Sequence, residues 1–277
     1  MSVAEKMTAI ANAIRNKTGK TDKLSLDEMA TEINEISTGE RDINPEWKDW
    51  NYFCSGRPDL AAKLKYSDTS NGTNFSYMFF ECGSLTSIPA LDTSNGTNFN
   101  AMFRNCKELT SIPALDTSNG TNFSAMFYGC GVLTSIPALD TSNGTNFSNM
   151  FRGCESMTSA PAIDTSNGTN FSYMFYGCKK LTSIPALDTS NGTNFIYMFY
   201  GHNALVDLNV VGTINATGLD VSYSTLLSHD SLMSIINALA DKTGVSGTWK
   251  VTLGATNLAK LTAEEIAIAE GKGWTLA

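Results

Sequence analysis

The chain has 277 residues, of which 42% are apolar, and a formal net charge of −8. This acidic balance argues against binding to nucleic acid, which requires a basic surface. No run of 18 consecutive apolar residues occurs, so no transmembrane helix is expected, and residues 1–19 lack the continuous apolar segment of a secretory signal.

Residues 1–40 are predicted to form a helical hairpin. Apolar residues recur at helical spacing from Val3 to Ile14, and the second helix opens with a capping box of Ser25 and Glu28. A hairpin this small buries too little surface to be stable alone, so we expect it to oligomerise or to dock on a larger assembly. Its segment AIANAIRNKTGKTDKLSLDEMATEI resembles a module at the start of tail-associated proteins in phages of Gram-positive bacteria.

Residues 41–67 are predicted to be a linker and an N-terminal cap. The open end of a stack of repeats exposes its core and needs a cover. The aromatic residues of this segment are suited to that task. They include Trp47, Trp50, Tyr52 and Phe53.

Residues 68–204 contain six repeats of 24 residues. Each repeat begins with DTSNGTNF, and the copies start at Asp68, Asp92, Asp116, Asp140, Asp164 and Asp188. A period of this length indicates one structural unit stacked on itself. We expect each unit to contain a short strand (LTSIPAL), a turn at DTSN followed by Asn-Gly, which tolerates a positive φ, a core phenylalanine and a short helix with a Met-Phe pair.

These motifs resemble the BspA-like leucine-rich repeats of bacterial surface proteins and phage genomes. LTS-I-P, DTSN-x-TN and MFxxCxxLTS occur in that order across roughly residues 66–205. The resemblance implies an α/β solenoid, a right-handed stack of strand–loop–short-helix coils of the leucine-rich-repeat type. It also implies a role in adhesion or binding rather than catalysis.

One column of equivalent positions is occupied by cysteine in five repeats and by His202 in the sixth. The cysteines are Cys82, Cys106, Cys130, Cys154 and Cys178, and Cys54 lies off this column. Five stacked thiols cannot all pair, so we predict an inward column of reduced thiols that behave as small hydrophobic groups. The alternative is a metal site, but tetrahedral ligation needs convergent ligands that a linear column does not supply.

The six aspartates that open the repeats form a second column. An Asp ahead of Ser-Asn is typical of a turn, because its carboxylate accepts backbone N–H groups. The alternative is that the stacked carboxylates hold Ca²⁺, which needs six to eight oxygen ligands. We predict the turn, with no metal and no cofactor bound.

Residues 205–277 are predicted to be irregular repeats followed by an α/β cap. We expect a helix from His229 to about Ala240, a strand around Val251, and a second capping box formed by Thr262 and Glu265. A final strand is expected near Trp274. The neighbouring Ser228, His229 and Asp230 are interpreted as a capped helix start rather than a catalytic triad.

The repeats differ mainly within the segment predicted to be helical, and tyrosine and arginine predominate there. Tyrosine provides a large contact area at low entropic cost, as in adaptable binding surfaces. The alternative is that these rings only cover the Phe and Met side chains beneath them. The candidate binding residues are Tyr77, Phe80, Arg104, Tyr128, Arg152, Tyr173, Tyr176, Tyr197 and Tyr200.

The sequence therefore predicts a phage tail-associated host-recognition protein, located in the virion, that binds a host cell-surface glycan or protein. The absence of a signal peptide and of an anchor at the end GWTLA favours this assignment. The alternatives are a bacterial cell-surface adhesin of the same repeat family and a passive structural spacer. An enzyme is not expected, because a rod of near-identical repeats offers no single asymmetric constellation. Neither nucleic acid binding nor membrane insertion is expected.

Overall fold

The computed structural model describes residues 48–61, 64 and 68–277. The predicted helical hairpin of residues 1–40 and Trp47 lie outside the described residues.

Within the described residues, regular secondary structure is sparse and concentrated after the repeats. The helices are α1 (Pro58–Ala61), α2 (His229–Ala238), α3 (Ala255–Leu258) and α4 (Ala263–Gly271). The strands are β1 (Ser183–Asp188), β2 (Asp207–Val211), β3 (Lys250–Val251) and β4 (Thr275–Leu276). They form two parallel pairs, β1 with β2 and β3 with β4.

The repeats stack side by side, each joined to the next by backbone hydrogen bonds between equivalent residues. In the third repeat the N–H groups of Phe123, Ala125 and Phe127 donate to carbonyl oxygens of the fourth repeat at 2.8–3.0 Å. The residues between them donate within their own repeat, as Met126 does to Phe123 O at 3.2 Å. Alternate N–H groups therefore hold the stack together, and the predicted 24-residue repeat is confirmed.

The predicted short helix in each repeat is wrong. Within residues 68–204, which are described throughout, this segment forms consecutive turns. Two positions in each repeat have a left-handed backbone, for example Ala125 with φ 54° and Gly129 with φ 73°. A left-handed residue interrupts a right-handed helix. Its N–H faces the next repeat instead of the preceding turn.

The predicted strand forms in only one repeat. The equivalent LTSIPAL segments are mostly irregular, and only the last becomes β1, where β2 lies beside it. Proline has no N–H to donate and is a poor member of a ladder. Pro185 lies inside β1, where the register with β2 shifts between Ile184 and Leu187.

Two columns of stacked phenylalanine rings form the centre of the repeats. Phe75, Phe99, Phe123, Phe147, Phe171 and Phe195 make the first column, with ring centroids 5.7–5.8 Å apart. Phe79, Phe103, Phe127, Phe151, Phe175 and Phe199 make the second, with spacings of 5.4–6.1 Å. Each such pair contributes about 0.5–1.5 kcal/mol beyond the area it buries.

The glycine of the Asn-Gly turn is required by close packing and not by its φ. Asn-Gly tolerates a positive φ, but neither residue has one in any repeat. A Cβ atom on Gly120 would lie 2.5 Å from Cζ of Phe123 and 2.9 Å from the carbonyl oxygen of Thr117. The first phenylalanine column thus occupies the space that any side chain here would need.

Both ends of the stack are covered by buried side chains. At the start, Trp50 is buried and occupies the place of the first-column phenylalanine. The backbone N–H of Trp50 donates to the carbonyl oxygen of Asn74 at 2.7 Å. At the other end β2 and α2 cover the last repeat. The predicted helix start at His229 is confirmed, with Ser228 as its N-cap, and so is the capping box of Thr262 and Glu265 at α4.

Replacing Gly120 by Ala should destabilise the protein by roughly 1–3 kcal/mol, the usual effect of forcing extra atoms into a packed core. Gly131 is the matched control, because a Cβ there meets nothing within 4 Å and its φ is not left-handed. Urea unfolding would compare G120A, G131A and the parent chain. Equal losses of stability in the two variants would contradict the packing requirement.

Removal of residues 205–277 should expose the apolar side of β1 and cause association. Leu187 and Ile184 are buried in the intact chain, where β2 pairs with their strand. An open repeat end presents a contiguous apolar patch to solvent. Size-exclusion chromatography of the 1–204 fragment measures this effect. A monomeric fragment with an unchanged unfolding transition would show that the segment is not a cap.

Candidate functional site

All nine predicted binding residues lie in one row along the repeats. Arg104 lies between Phe80 and Tyr128, with its guanidinium carbon 5.6 Å and 4.7 Å from their ring centroids. Arg152 lies 5.2 Å from Tyr128 and 4.6 Å from Tyr176. The remaining tyrosines continue the row in pairs, with Tyr173 5.3 Å from Tyr197 and Tyr176 5.1 Å from Tyr200.

Two further tyrosines extend the row beyond the repeats. Tyr52 stacks on Tyr77 with a centroid distance of 4.6 Å, and Tyr223 lies 4.3 Å from Tyr200. We call the complete row the aromatic–arginine strip. Its members are Tyr52, Tyr77, Phe80, Arg104, Tyr128, Arg152, Tyr173, Tyr176, Tyr197, Tyr200 and Tyr223.

Sequence reasoning missed Tyr52 and Tyr223 because neither follows a DTSNGTNF motif. A weaker signal was present, since Asp49-Trp50-Asn51-Tyr52 and Asp220-Val221-Ser222-Tyr223 share the pattern of Asn74-Phe75-Ser76-Tyr77. The first residue of each segment accepts a hydrogen bond from the backbone N–H two residues later, at 2.9–3.1 Å. The same turn thus recurs outside the regular repeats.

At one of the two strip positions in a repeat, the residue has a left-handed backbone. Tyr77, Tyr173 and Tyr197 have left-handed φ values of 57°, 57° and 53°. A left-handed conformation at a residue other than glycine costs about 1–3 kcal/mol. Ala101 and Ala125 adopt it at equivalent positions, with φ of 52° and 54°. The conformation therefore belongs to the repeat backbone, which tolerates different side chains on the strip.

Exposure increases towards the C-terminal end of the strip. Phe80 is only 8% exposed, whereas Tyr197 is 51% and Tyr223 is 44% exposed. Burial raises the pKa of Tyr52, and a hydrogen bond with Tyr200 raises the pKa of Tyr223. The phenol groups at both ends are therefore protonated and uncharged at neutral pH.

The two strip arginines form no ion pair with any residue that the structure describes. Arg152 donates from Nη1 to the neutral Asn149 Oδ1 at 3.3 Å. Nε of Arg104 is buried without a hydrogen-bond partner. Stacking of a guanidinium on an aromatic ring contributes about 0.5–1 kcal/mol at an exposed site. The arginines are thus held by rings rather than by carboxylates.

A family model described as "Mycoplasma protein of unknown function, DUF285" matches residues 47–135 and 104–211. The two matches overlap and together span more than half of the chain. The protein belongs to the DUF285 family. The matched region contains every strip residue except Tyr223. No match was found among the curated proteins or among the solved structures.

The DUF285 repeats also contain the predicted column of inward thiols, which is confirmed. All six cysteines are free and buried. In the column each thiol donates to a second-column phenylalanine carbonyl of the preceding repeat, as Cys130 Sγ does to Phe103 O at 3.1 Å. Cys54 takes the place of that phenylalanine, and its carbonyl accepts from Cys82 at 2.8 Å. Burial raises the pKa of Cys130 to about 12, so the thiol is neutral and a poor nucleophile.

His202 occupies the cysteine place of the sixth DUF285 repeat, as predicted. Its Nε2 contacts the carbonyl oxygen of Phe175, the acceptor that a cysteine would use at this position. Its Nδ1 is buried and has no hydrogen-bond partner. Burial lowers the pKa of His202 from 6.5 to about 4. The ring is therefore neutral at physiological pH.

The aspartates of the DUF285 repeats are turn residues. Asp116 Oδ1 accepts from the backbone N–H of Ser118 at 3.1 Å and from its hydroxyl at 2.7 Å. These hydrogen bonds lower the pKa of Asp116. In the part of the chain that the structure describes, no three His, Cys, Asp or Glu side chains are grouped closely enough to hold a metal ion.

His229 begins α2, and its Nε2 lies 2.8 Å from Oε1 of Glu265 on α4, so the pair connects the two helices. None of the helices in the described ranges has the length and hydrophobicity that crossing a bilayer requires.

Folding stability should fall as the pH is lowered from 6.5 to about 4, partly because of His202. Across this window the unfolded chain binds a proton on this residue that the folded chain does not bind. The free energy of unfolding should decrease by up to about 1.4 kcal/mol per pH unit from this group. In H202C, which restores the cysteine of the other repeats, that contribution should be absent.

Urea midpoints of both proteins between about pH 7 and about pH 4 measure the difference in slope. Carboxylates titrate in the same range, but they are common to both proteins and cancel in the comparison. Identical slopes would show that His202 is protonated as readily in the folded chain as in the unfolded one.

Proposed function

We propose that this DUF285 protein recognises host cells through the aromatic–arginine strip and is a component of a phage tail. The observation that supports recognition best is the strip itself. Nine of its residues were predicted because the repeats differ at their positions, and these side chains lie in contact along the repeats. Tyrosine and arginine are the residue types most enriched at binding hot spots. Because stacked repeats hold them, their positions are set before a ligand arrives, which lowers the entropic cost of binding.

The proposal includes a solenoid of the leucine-rich-repeat type. The 24-residue period, the parallel bridges between equivalent asparagines and the parallel pairing of β1 with β2 support it. The turns at the Met-Phe segment take the place of the short helices expected for that type of repeat. A solenoid of this type displays one long surface, as a recognition role requires.

Assignment to a phage tail rests on the sequence of residues 9–33. This segment resembles the first module of tail-associated proteins in phages of Gram-positive bacteria. In the proposal it attaches the protein to the virion or joins copies of the chain, and the strip is left free to contact the host.

Two other functions compete with this one. A bacterial cell-surface adhesin of the same repeat family would use the strip in the same way but would be found at the bacterial surface. A passive spacer would use only the stiffness of the stack, which the paired phenylalanine columns and the repeated backbone hydrogen bonds support. Cell binding separates the spacer from both recognition functions.

The most exposed part of the strip should contribute most of the affinity for cells. Its four tyrosines are Tyr173, Tyr176, Tyr197 and Tyr200. Truncating one hot-spot residue typically costs about 2 kcal/mol, roughly 30-fold in affinity. We expect the quadruple change to Ala to lower cell binding by at least that factor, with less than additive single losses because the rings contact one another.

Binding of the labelled protein to whole cells would be compared with the variant V132A/V245A/I268A. These three residues are exposed, apolar and outside the strip, which makes them a matched control. Alanine already stands in two repeats at the left-handed position that Tyr173 and Tyr197 occupy. The melting temperature of the four-tyrosine variant would verify that it folds. Equal cell binding by both variants would remove the site from the strip. A parent protein that binds no cells would favour the spacer.

A further inference from the structure

We propose that Arg104, Tyr128 and Arg152 form a subsite for the anionic groups of a charged cell-surface glycan. The inference rests on the proposed function, because it assigns a ligand class to the middle of the same strip. It follows from the position and the charge of two arginines that have no acidic partner among the residues that the structure describes.

The two arginines flank one tyrosine from the repeats before and after it. Their guanidinium carbons lie 4.7 Å and 5.2 Å from the ring centroid of Tyr128. At this strip position arginine and tyrosine alternate over four consecutive repeats, from Arg104 to Tyr176. The alternation keeps the two positive charges two repeats apart. Both guanidinium groups could still contact one anionic group of a ligand placed at the edge of the Tyr128 ring.

The charge of this subsite is not neutralised within the described residues. Of the five lysines and arginines in residues 68–204, only Lys179 has an acidic partner among the described residues, Glu155 at 2.8 Å. Arg104 and Arg152 have only aromatic rings and, for Arg152, the amide of Asn149. In a chain with a net charge of −8, two such arginines create a local positive site.

The environment of the guanidinium groups favours oxyanions as ligands. Both arginines and Tyr128 are half-buried, so the rings shield them in part from water. A guanidinium binds carboxylate or phosphate through two parallel hydrogen bonds, and charge-assisted bonds of this kind are stronger than neutral ones. The Tyr128 hydroxyl supplies a further donor between them.

A glycan fits this site better than an isolated small anion. The subsite lies in the middle of the strip, between the aromatic groups around Tyr77 and those around Tyr200. Aromatic rings stack on the apolar faces of sugar rings, and they lie on both sides of the two arginines. A ligand that extends along the strip would therefore need sugar rings on both sides of an anionic unit, which is the composition of a charged glycan.

The test uses polygalacturonate as a carboxylate polymer, polyphosphate as a phosphate polymer and dextran as a neutral one. The parent protein should bind at least one polyanion and not dextran, and binding should weaken as salt rises from about 0.05 M to about 0.5 M. R104Q/R152Q should lose at least tenfold in affinity. K107Q/K180Q removes the same charge from exposed positions off the strip and should bind as the parent does.

Polyanion affinity that is equal in R104Q/R152Q and the parent, or absent from the parent, would overturn the subsite. Cell binding of the same variants separates this proposal from the previous one. If the four-tyrosine variant loses cell binding and R104Q/R152Q keeps it, the anionic subsite is wrong and recognition through the strip stands. If R104Q/R152Q loses both polyanion and cell binding, while K107Q/K180Q keeps both, the subsite is supported.

Discussion

The backbone hydrogen bonds between neighbouring repeats are the interaction on which the rest of this structure depends. Alternate N–H groups of the turn segment point to the next repeat, because two residues in each repeat adopt a left-handed conformation. This arrangement places every residue beside its equivalent 24 positions away. The phenylalanine columns, the thiol column and the aromatic–arginine strip all follow from that one translation.

The same translation has opposite chemical consequences inside and outside the stack. Inside, it buries a row of thiols against carbonyl oxygens, which raises their pKa and makes them inert. Outside, it joins two variable positions per repeat into a continuous surface. The interior is uniform because every repeat must fit the next, whereas the strip side chains meet only each other and solvent. Variation between the repeats is therefore concentrated on the strip.

The 24-residue period predicted the features that depend on equivalent residues lying side by side in neighbouring repeats. The local sequence did not predict the conformation of the backbone within a repeat. The stacking, the inward thiols and the position of His202 follow from spacing alone. The turns in place of the short helix do not follow from the spacing, because alanine, which stands at positions 101 and 125, has no preference for a left-handed backbone. The glycine of Asn-Gly suggested a positive φ, but its role is to make room for Phe123. Tyr52 and Tyr223 were missed because their spacing departs from 24 residues.

The near-identity of the junctions between repeats also bears on how such a protein can change over generations. A gene segment encoding one repeat can be gained or lost by recombination between almost identical stretches, and the two repeats brought together still match. The two ends would remain covered whatever the number of units between them. Each event would lengthen or shorten the strip by the residues of one repeat. The length of this surface could therefore evolve without new contacts between the repeats.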